Sequence, residues 1–245
     1  MKGLGTKMKT LRVATHNICH MGFNPLDGTQ AFQNGKYRFG YEADAVEMMR
    51  RNWKEVYSSF SADLIGLQEY YYWFDQAHEI ITEQEIFVPA GYQLEDDDMG
   101  LALASKYAAQ KVYALSFEPV SKRRRQKFYV DVDGRRIAVF NSHPTPKDNR
   151  EIRKKEYELL IEEYKREECF VAFGDYNAQT ADEFEIFSKA GFPMANTGLG
   201  TVIRTGATCD NIIVSPNIRI EAVKLYDEKF TLSDHKILYA EITLL

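Results

Sequence analysis

The chain has little of what marks several large protein classes. Its 245 residues include three cysteines, Cys19, Cys169 and Cys209, an odd number with no CxxC pair. That spacing excludes a disulfide framework, argues against a structural zinc site, and fits a reducing compartment. No apolar run approaches the ~20 residues of a membrane-spanning helix. The opening Met1-Lys2-Gly3-Leu4-Gly5-Thr6-Lys7 has charge but no apolar stretch of signal-peptide length, so a cytoplasmic location is expected. An excess of positive charge is also missing. The formal net charge of -5 argues against capture of nucleic acid over a broad basic surface, while leaving room for a local basic patch. No internal repeat, low-complexity segment or linker breaks the chain. One domain over residues 1–245 is expected, with 1–10 flexible and nothing that calls for an obligate protein partner.

What is present is core-forming material. Hydrophobic residues make up 44% and aromatics 13%, so a folded globular protein is expected. Leu11 to Ile18 reads as a strand. Ala43 to Phe60 places Val46, Met49, Trp53, Val56 and Phe60 at helical spacing, with one buried face. Asp63 to Glu69, Leu101 to Ser105 and Lys111 to Phe117 read as strands. Lys127 to Val132 and Arg135 to Asn141 flank Asp133-Gly134, the strongest hairpin signal in the chain. A charged helix is expected from about Asp148 to Glu168, with Ile152, Leu159, Leu160 and Tyr164 inward. Ala181 to Ala190 reads as a helix closed by Gly191. Strands at Ile212-Ile213-Val214, Ile218 to Leu225 and Ile237 to Leu245 complete the pattern. Short strands with interspersed helices predict an α+β sandwich, two stacked sheets with helices outside.

The most informative segment is Gly174-Asp175-Tyr176-Asn177-Ala178, which follows the apolar run Cys169 to Phe173. A buried strand of this kind delivers a carboxylate and a carboxamide to its open end, on one face, because side chains repeat every second residue. Alone, Asp-x-Asn is ordinary turn chemistry. Asn17, Gln68-Glu69, Asn141-Ser142-His143, Asp210 and Ser233-Asp234-His235 repeat the arrangement at other strand ends. Carboxylates, carboxamides and two histidines, without a thiolate or a close His pair, are the composition for Mg²⁺ or Mn²⁺ chemistry.

Taken in order, Thr15-His16-Asn17-Ile18, Leu67-Gln68-Glu69, Asn141-Ser142-His143, Gly174-Asp175-Tyr176-Asn177, Asp210 and Ser233-Asp234-His235 resemble the endonuclease/exonuclease/phosphatase superfamily. That group spans deoxyribonucleases, abasic-site endonucleases, neutral sphingomyelinases and inositol-polyphosphate 5-phosphatases. The resemblance covers about residue 11 to 245, and it specifies the superfamily rather than the branch. It implies a four-layer α/β sandwich with two mainly antiparallel sheets flanked by helices. It implies a metal-dependent phosphoesterase in which Glu69 is the principal Mg²⁺ ligand, with Asn17 and Asp234 beside it. Asp175 would orient or deprotonate the attacking water. Asn177 and His143 would hold phosphate oxygens. His235 would act beside the phosphorus, with Asp210 on its other ring nitrogen, the usual device for fixing an imidazole's tautomer.

Three features depart from the common pattern. Pro144 follows His143 and stiffens that loop. Cys209-Asp210-Asn211-Ile212 lacks the Arg of the 5-phosphatases, which weakens an inositol-phosphate reading. The Glu that supports the first His in the deoxyribonuclease branch has no clear counterpart, and Asp98 is the nearest candidate. Two segments bear on substrate. Tyr70-Tyr71-Tyr72-Trp73-Phe74 reads either as a stacking platform, with Tyr70, Tyr72 and Trp73 offered to a base, or as core and lid packing. The loop with Phe23, Phe32, Tyr37 and Phe39 follows Asn17 and reads as a local mini-core or a cleft border. Lys122 to Lys127 is the one concentrated basic segment, so Arg124 and Arg125 are candidate phosphate contacts, although such runs are commonly solvated. Glu95 to Asp98 and Glu162-Glu163 read as solvated faces. A nucleic-acid phosphodiester is the expected substrate, with a phospholipid or an inositol-phosphate type small molecule as the alternative.

Overall fold

The computed structural model describes residues 9–19, 32–33, 36–37, 43–81, 89–96, 99–146, 148–226 and 233–245. Residues 1–8 of the expected flexible start, Phe23, Phe39 and Asp98 lie outside them. The elements run β1 (Thr10–Asn17), β2 (Phe32–Gln33), β3 (Lys36–Tyr37), α1 (Ala43–Ser59), β4 (Leu64–Tyr70), α2 (Tyr72–His78), β5 (Pro89–Asp96) and β6 (Met99–Ser105). They continue with β7 (Ala109–Phe117), β8 (Ser121–Val132), β9 (Arg135–His143), α3 (Arg150–Tyr164), β10 (Phe170–Asp175), a 3₁₀ turn (Ala181–Phe184), α4 (Glu185–Lys189), β11 (Asp210–Val214), β12 (Ile218–Tyr226) and β13 (Ile237–Leu244). None of the described helices is long and apolar enough to cross a membrane.

Two sheets stack. One has six strands in the order β12-β13-β1-β4-β6-β5, the other five in the order β11-β10-β9-β8-β7. Each is antiparallel except for one parallel pair, β1 with β4 and β9 with β10. Their facing sides bury Val13, Leu64, Phe128, Val130, Val139, Val171 and Phe173 in one apolar layer. The outer face of the six-stranded sheet packs against α1 through Met49, Trp53 and Tyr57. The outer face of the other packs against α3 and α4 through Tyr157, Leu160, Tyr164 and Phe187. Four layers result, as expected from the sequence. Each large side chain buried this way contributes about 1.5–3 kcal/mol.

Local details follow from residue chemistry. The β8–β9 hairpin turns at Asp133 and Gly134, with φ of 54° and 83°, which the primed turn geometry requires. α3 has an inward face that differs from the apolar stripe expected: Arg153 and Glu156 are fully buried with Tyr157, Leu160, Ile161 and Tyr164, while Ile152 and Leu159 are only partly covered. Both buried charges are paired. Arg153 bonds Glu183 and the carbonyl of Pro146, and Glu156 accepts from the Thr145 amide and hydroxyl and from Ser121. They pin the loop that leaves His143. Glu163 is likewise not a solvated charge, since it receives Arg125 and Tyr113.

Topology puts the polar clusters at one edge. β1 and β4 are parallel, so Asn17 and Glu69 come off the same end of their sheet. β9 and β10 are parallel, so His143 and Asp175 share an end as well. β11 and β13 run antiparallel to their neighbours and start where those strands finish, which brings in Asp210 and His235.

Candidate active site

The site is built around the Asp175 carboxylate. Gly174 lets β10 approach β9 closely, because a Cβ there would lie 2.7 Å from the Ser142 carbonyl oxygen. Asp175 Oδ1 accepts the Asn177 amide at 2.8 Å, and Oδ2 accepts the Asn17 side-chain amide at 2.8 Å. Two imidazoles face the same oxygen. His143 Nε2 is 3.6 Å and His235 Nε2 3.8 Å from Asp175 Oδ2. The Asp175 and His143 side chains are each 2% exposed and that of His235 10%, so the charges interact in a poorly screened setting.

Asp210 and His235 form a bonded pair, Nδ1 to Oδ2 at 2.7 Å. Burial disfavours the imidazolium, but the charges of Asp210 and Asp175 outweigh it and push the His235 pKa up to about 10. His235 is therefore cationic at neutral pH, with Nε2–H directed into the site. Burial also raises Asp210, against the pull of His235. One proton shared along this bond satisfies both directions, with the imidazolium favoured by the second carboxylate nearby. Asp234, half-buried beside His235, adds to the negative field.

Supporting bonds hold these groups in place. The Ser233 hydroxyl donates to the Asn17 carbonyl at 2.6 Å and accepts the His235 amide at 3.0 Å, which explains the Ser-Asp-His order. Asn196 donates to the Asp210 carbonyl and Thr201 accepts the Asp210 amide. One layer below, Gln68 donates to Asn141 at 2.8 Å, and Asn141 donates to the carbonyls of Leu67 and Ala102. Gln68 and Asn141 thus tie the two sheets together beneath the site. Glu69 takes φ of 54° where the β4–β6 register slips, and its side chain is 20% exposed. A non-glycine residue held at positive φ costs of order 1–3 kcal/mol, and such outliers concentrate at functional sites. Its Oε1 is 3.9 Å from His143 Nε2.

No sequence-family model and no curated protein sequence matches the chain; the similarity is structural. Zebrafish (D. rerio) TDP2 complexed with a single-strand DNA product superposes with a TM-score of 0.69 at 14% identity, over 96% of this chain and 99% of that one. A Bacteroides thetaiotaomicron mannosyl-6-phosphatase gives 0.68 at 17% identity, over 95% and 99%. An endonuclease/exonuclease/phosphatase family protein from the same organism gives 0.67 at 18% identity, over 98% and 99%. The chain has the endonuclease/exonuclease/phosphatase fold.

Within that fold, the donor set suits a hard cation. Asp175, Asp210 and His235 present ligand atoms that all lie within 4.8 Å of one another, a group that could hold a metal ion only with His235 as the neutral imidazole. Asp210 Oδ1 is buried without a hydrogen-bond partner, a costly state for a carboxylate oxygen unless a cation or water meets it. The neighbourhood is rich in oxygen donors and holds no thiolate. Cys209 is no exception, because burial and the neighbouring carboxylates push its thiol well up.

Several expected contacts turn out differently. Tyr70 ends β4 fully buried, its hydroxyl on Asp75, so it is a core residue and not a stacking surface. Tyr72 is half-buried against the same core, and of Trp73 only its place in α2 is described. Asn177 has φ of 55° and donates its side-chain amide to the Pro144 carbonyl at 2.9 Å, tying the ends of β9 and β10 together. Arg125 bonds Glu163 at 2.9 Å on the α3 side of the sheet, away from the site, which removes it as a phosphate contact. Arg124 sits opposite His143 in the β8–β9 register and so shares its face. Glu156, Thr201 and Asn196 had no motif to reveal them; their partners come from elements distant in sequence.

Proposed function

We propose that this chain is a divalent-cation-dependent phosphoesterase that hydrolyses phosphodiester bonds of nucleic acid by in-line attack of water. The observation that carries the reading is the convergence of the His143 and His235 Nε2 atoms on Asp175 Oδ2, each within 4 Å. Asp175 is fixed by two donors and keeps lone pairs for a water, so it takes the proton as that water's oxygen bonds to phosphorus. His143 and the His235 imidazolium supply N–H groups to the phosphoryl oxygens, where charge builds as the P–O bond to the leaving group breaks. His235 is placed to return a proton to the departing oxygen, with Asp210 holding the ring. Glu69, with Asn17 and Asp234 beside it, would hold Mg²⁺ or Mn²⁺, which neutralises phosphoryl charge when bound. One donor of this kind is worth about 3–4 kcal/mol in the transition state.

A phosphorylated small molecule or phospholipid headgroup is the second reading. It is favoured by the tying of Arg125 and Lys127 to Glu163 and Glu167, which takes two cations of the concentrated basic segment away from a polymer. Nicking of supercoiled plasmid in Mg²⁺, abolished by EDTA and by Asp175→Asn, tests the first reading. No nicking, together with phosphate release from a sugar or lipid ester, would replace it with the second.

A further inference from the structure

β8 changes character along its inward face. Val132, Val130 and Phe128 are buried between the sheets, Gln126 follows with its amide on the Leu101 carbonyl at 3.1 Å, and Arg124 comes next toward the open end. The register pairs Arg124 with His143, Gln126 with Asn141 and Phe128 with Val139, without a slip. Directly opposed residues of an antiparallel pair hold their side chains on one face about 4.5–5.5 Å apart at Cβ. Arg124 is therefore the next side chain beyond His143 in the direction away from Asp175.

Its electrostatic situation is unlike that of its neighbours. Arg125 and Lys127 point to the opposite face and are neutralised there by Glu163 and Glu167, at 2.9 and 2.5 Å. Arg124 has no carboxylate partner among the described residues, and its Nε is buried with no hydrogen-bond acceptor. A buried guanidinium N–H without an acceptor is costly, and an anionic acceptor arriving with a ligand would relieve that cost. The planar guanidinium fork suits the paired oxygens of a phosphate group.

Resting on the phosphoesterase reading, we infer that Arg124 binds a second anionic phosphate of the substrate, next to the one attacked at Asp175, and so selects substrates that carry two neighbouring phosphates. The attacked group sits where both histidines face Asp175. His143 stands between that point and Arg124 in strand order, β10 to β9 to β8. A nucleotide chain and a small bisphosphate both supply such a second group.

Binding of methylenediphosphonate, which has two anionic groups and no hydrolysable bond between them, tests the assignment by calorimetry in Mg²⁺. Methylphosphonate is the single-anion control. Arg124→Ala is expected to weaken the diphosphonate at least tenfold and the monophosphonate less than threefold, with Arg124→Lys between wild type and Ala. If Arg124→Ala does not fold, Arg124→Gln is read in its place. Equal diphosphonate affinity in wild type and variant would overturn the inference, as would a wild type that binds both probes alike. Trithymidylate and 2,3-bisphosphoglycerate, whose phosphates are on adjacent carbons, serve as competitors to separate the two sources. Displacement by either, lost in the variant, supports the inference; displacement by neither contradicts it. Hydrolysis of bis(p-nitrophenyl) phosphate is followed separately. An inactive wild type with the Arg124-dependent binding intact would sink the catalytic reading and spare the inference, and an active wild type without that binding would do the reverse.

Discussion

The Asn17 side-chain amide donates to Asp175 Oδ2 at 2.8 Å, joining the last residue of β1 to the last residue of β10 across the two sheets. The bond gives Asn17 a role the sequence did not suggest. It aims the carboxylate rather than waiting only on a cation. The same asparagine is held in turn by its Oδ1, which accepts the Cys19 amide at 2.9 Å, and by its carbonyl, which receives Ser233.

Asn17→Ala should therefore lower kcat by about 10–100-fold, the kinetic equivalent of roughly 1–3 kcal/mol for one hydrogen bond to a charged group. KM should change little, because the bond orients a base and does not contact substrate. Steady-state kinetics on any turned-over phosphoester reads both terms, and an unchanged kcat would show that the bond is dispensable.

Asp210→Asn removes the partner that keeps His235 charged. The His235 pKa should then fall from about 10, since burial acts against the imidazolium and only Asp175 and Asp234 are left to oppose it. Ring-proton NMR of the metal-free protein reads the titration directly, and kcat should drop by about 10–100-fold. A His235 signal that titrates identically in both proteins would refute the pairing.

Glu156 is fully buried and accepts from Thr145 N at 2.8 Å, Thr145 Oγ1 at 2.7 Å and Ser121 Oγ. Glu156→Ala strands those donors and should destabilise the fold by about 3 kcal/mol, by the cost of breaking a buried charged network. Chemical denaturation measures it. A loss below about 1 kcal/mol would mean that the loop after His143 is secured otherwise.

His16 is buried against Tyr57, with Nδ1 3.1 Å from the hydroxyl, and burial drives its pKa from 6.5 down to about 3, with repulsion from His235 adding to the shift. The unfolded chain takes up a proton near pH 6.5 that the folded chain refuses until about pH 3. Stability contributed by neutral His16 is thus present above pH 6.5 and lost as pH falls toward 3, by at most about 1.4 kcal/mol per pH unit. His16→Gln should flatten that part of the acid limb in a series of denaturation curves. Parallel limbs for both proteins would exclude His16 as its source.

Strand ends with functional side chains were legible because their signals are local. The Asp133-Gly134 turn, the apolar run before Asp175 and the helical spacing of Met49, Trp53 and Val56 each need only neighbours in sequence, and each appears in the structure. β5 escaped notice because Pro89–Asp96 is an edge strand paired only with β6, a partner fixed by the fold rather than by alternation. α2 escaped because it has no side-chain cap and begins inside the aromatic run. Ala181 to Ala190 has the sequence pattern of one helix and forms a 3₁₀ turn followed by a short α-helix, with Gly191 at φ of 87° after it. Buried Arg153, Glu156 and Asp75 look like surface charges in any linear reading, since their partners lie on other elements. The same reason separates Arg124 from Arg125: adjacent in sequence, they sit on opposite faces of β8, and only the register shows which one shares the face of His143.

The most direct measurement is release of p-nitrophenol from bis(p-nitrophenyl) phosphate by the full chain in Mg²⁺, beside Asp175→Asn and an EDTA control. Metal-dependent release that falls by a factor of 10² or more in the variant, with its fold intact by circular dichroism, is the predicted result. Equal release by wild type and Asp175→Asn would contradict a mechanism centred on this carboxylate.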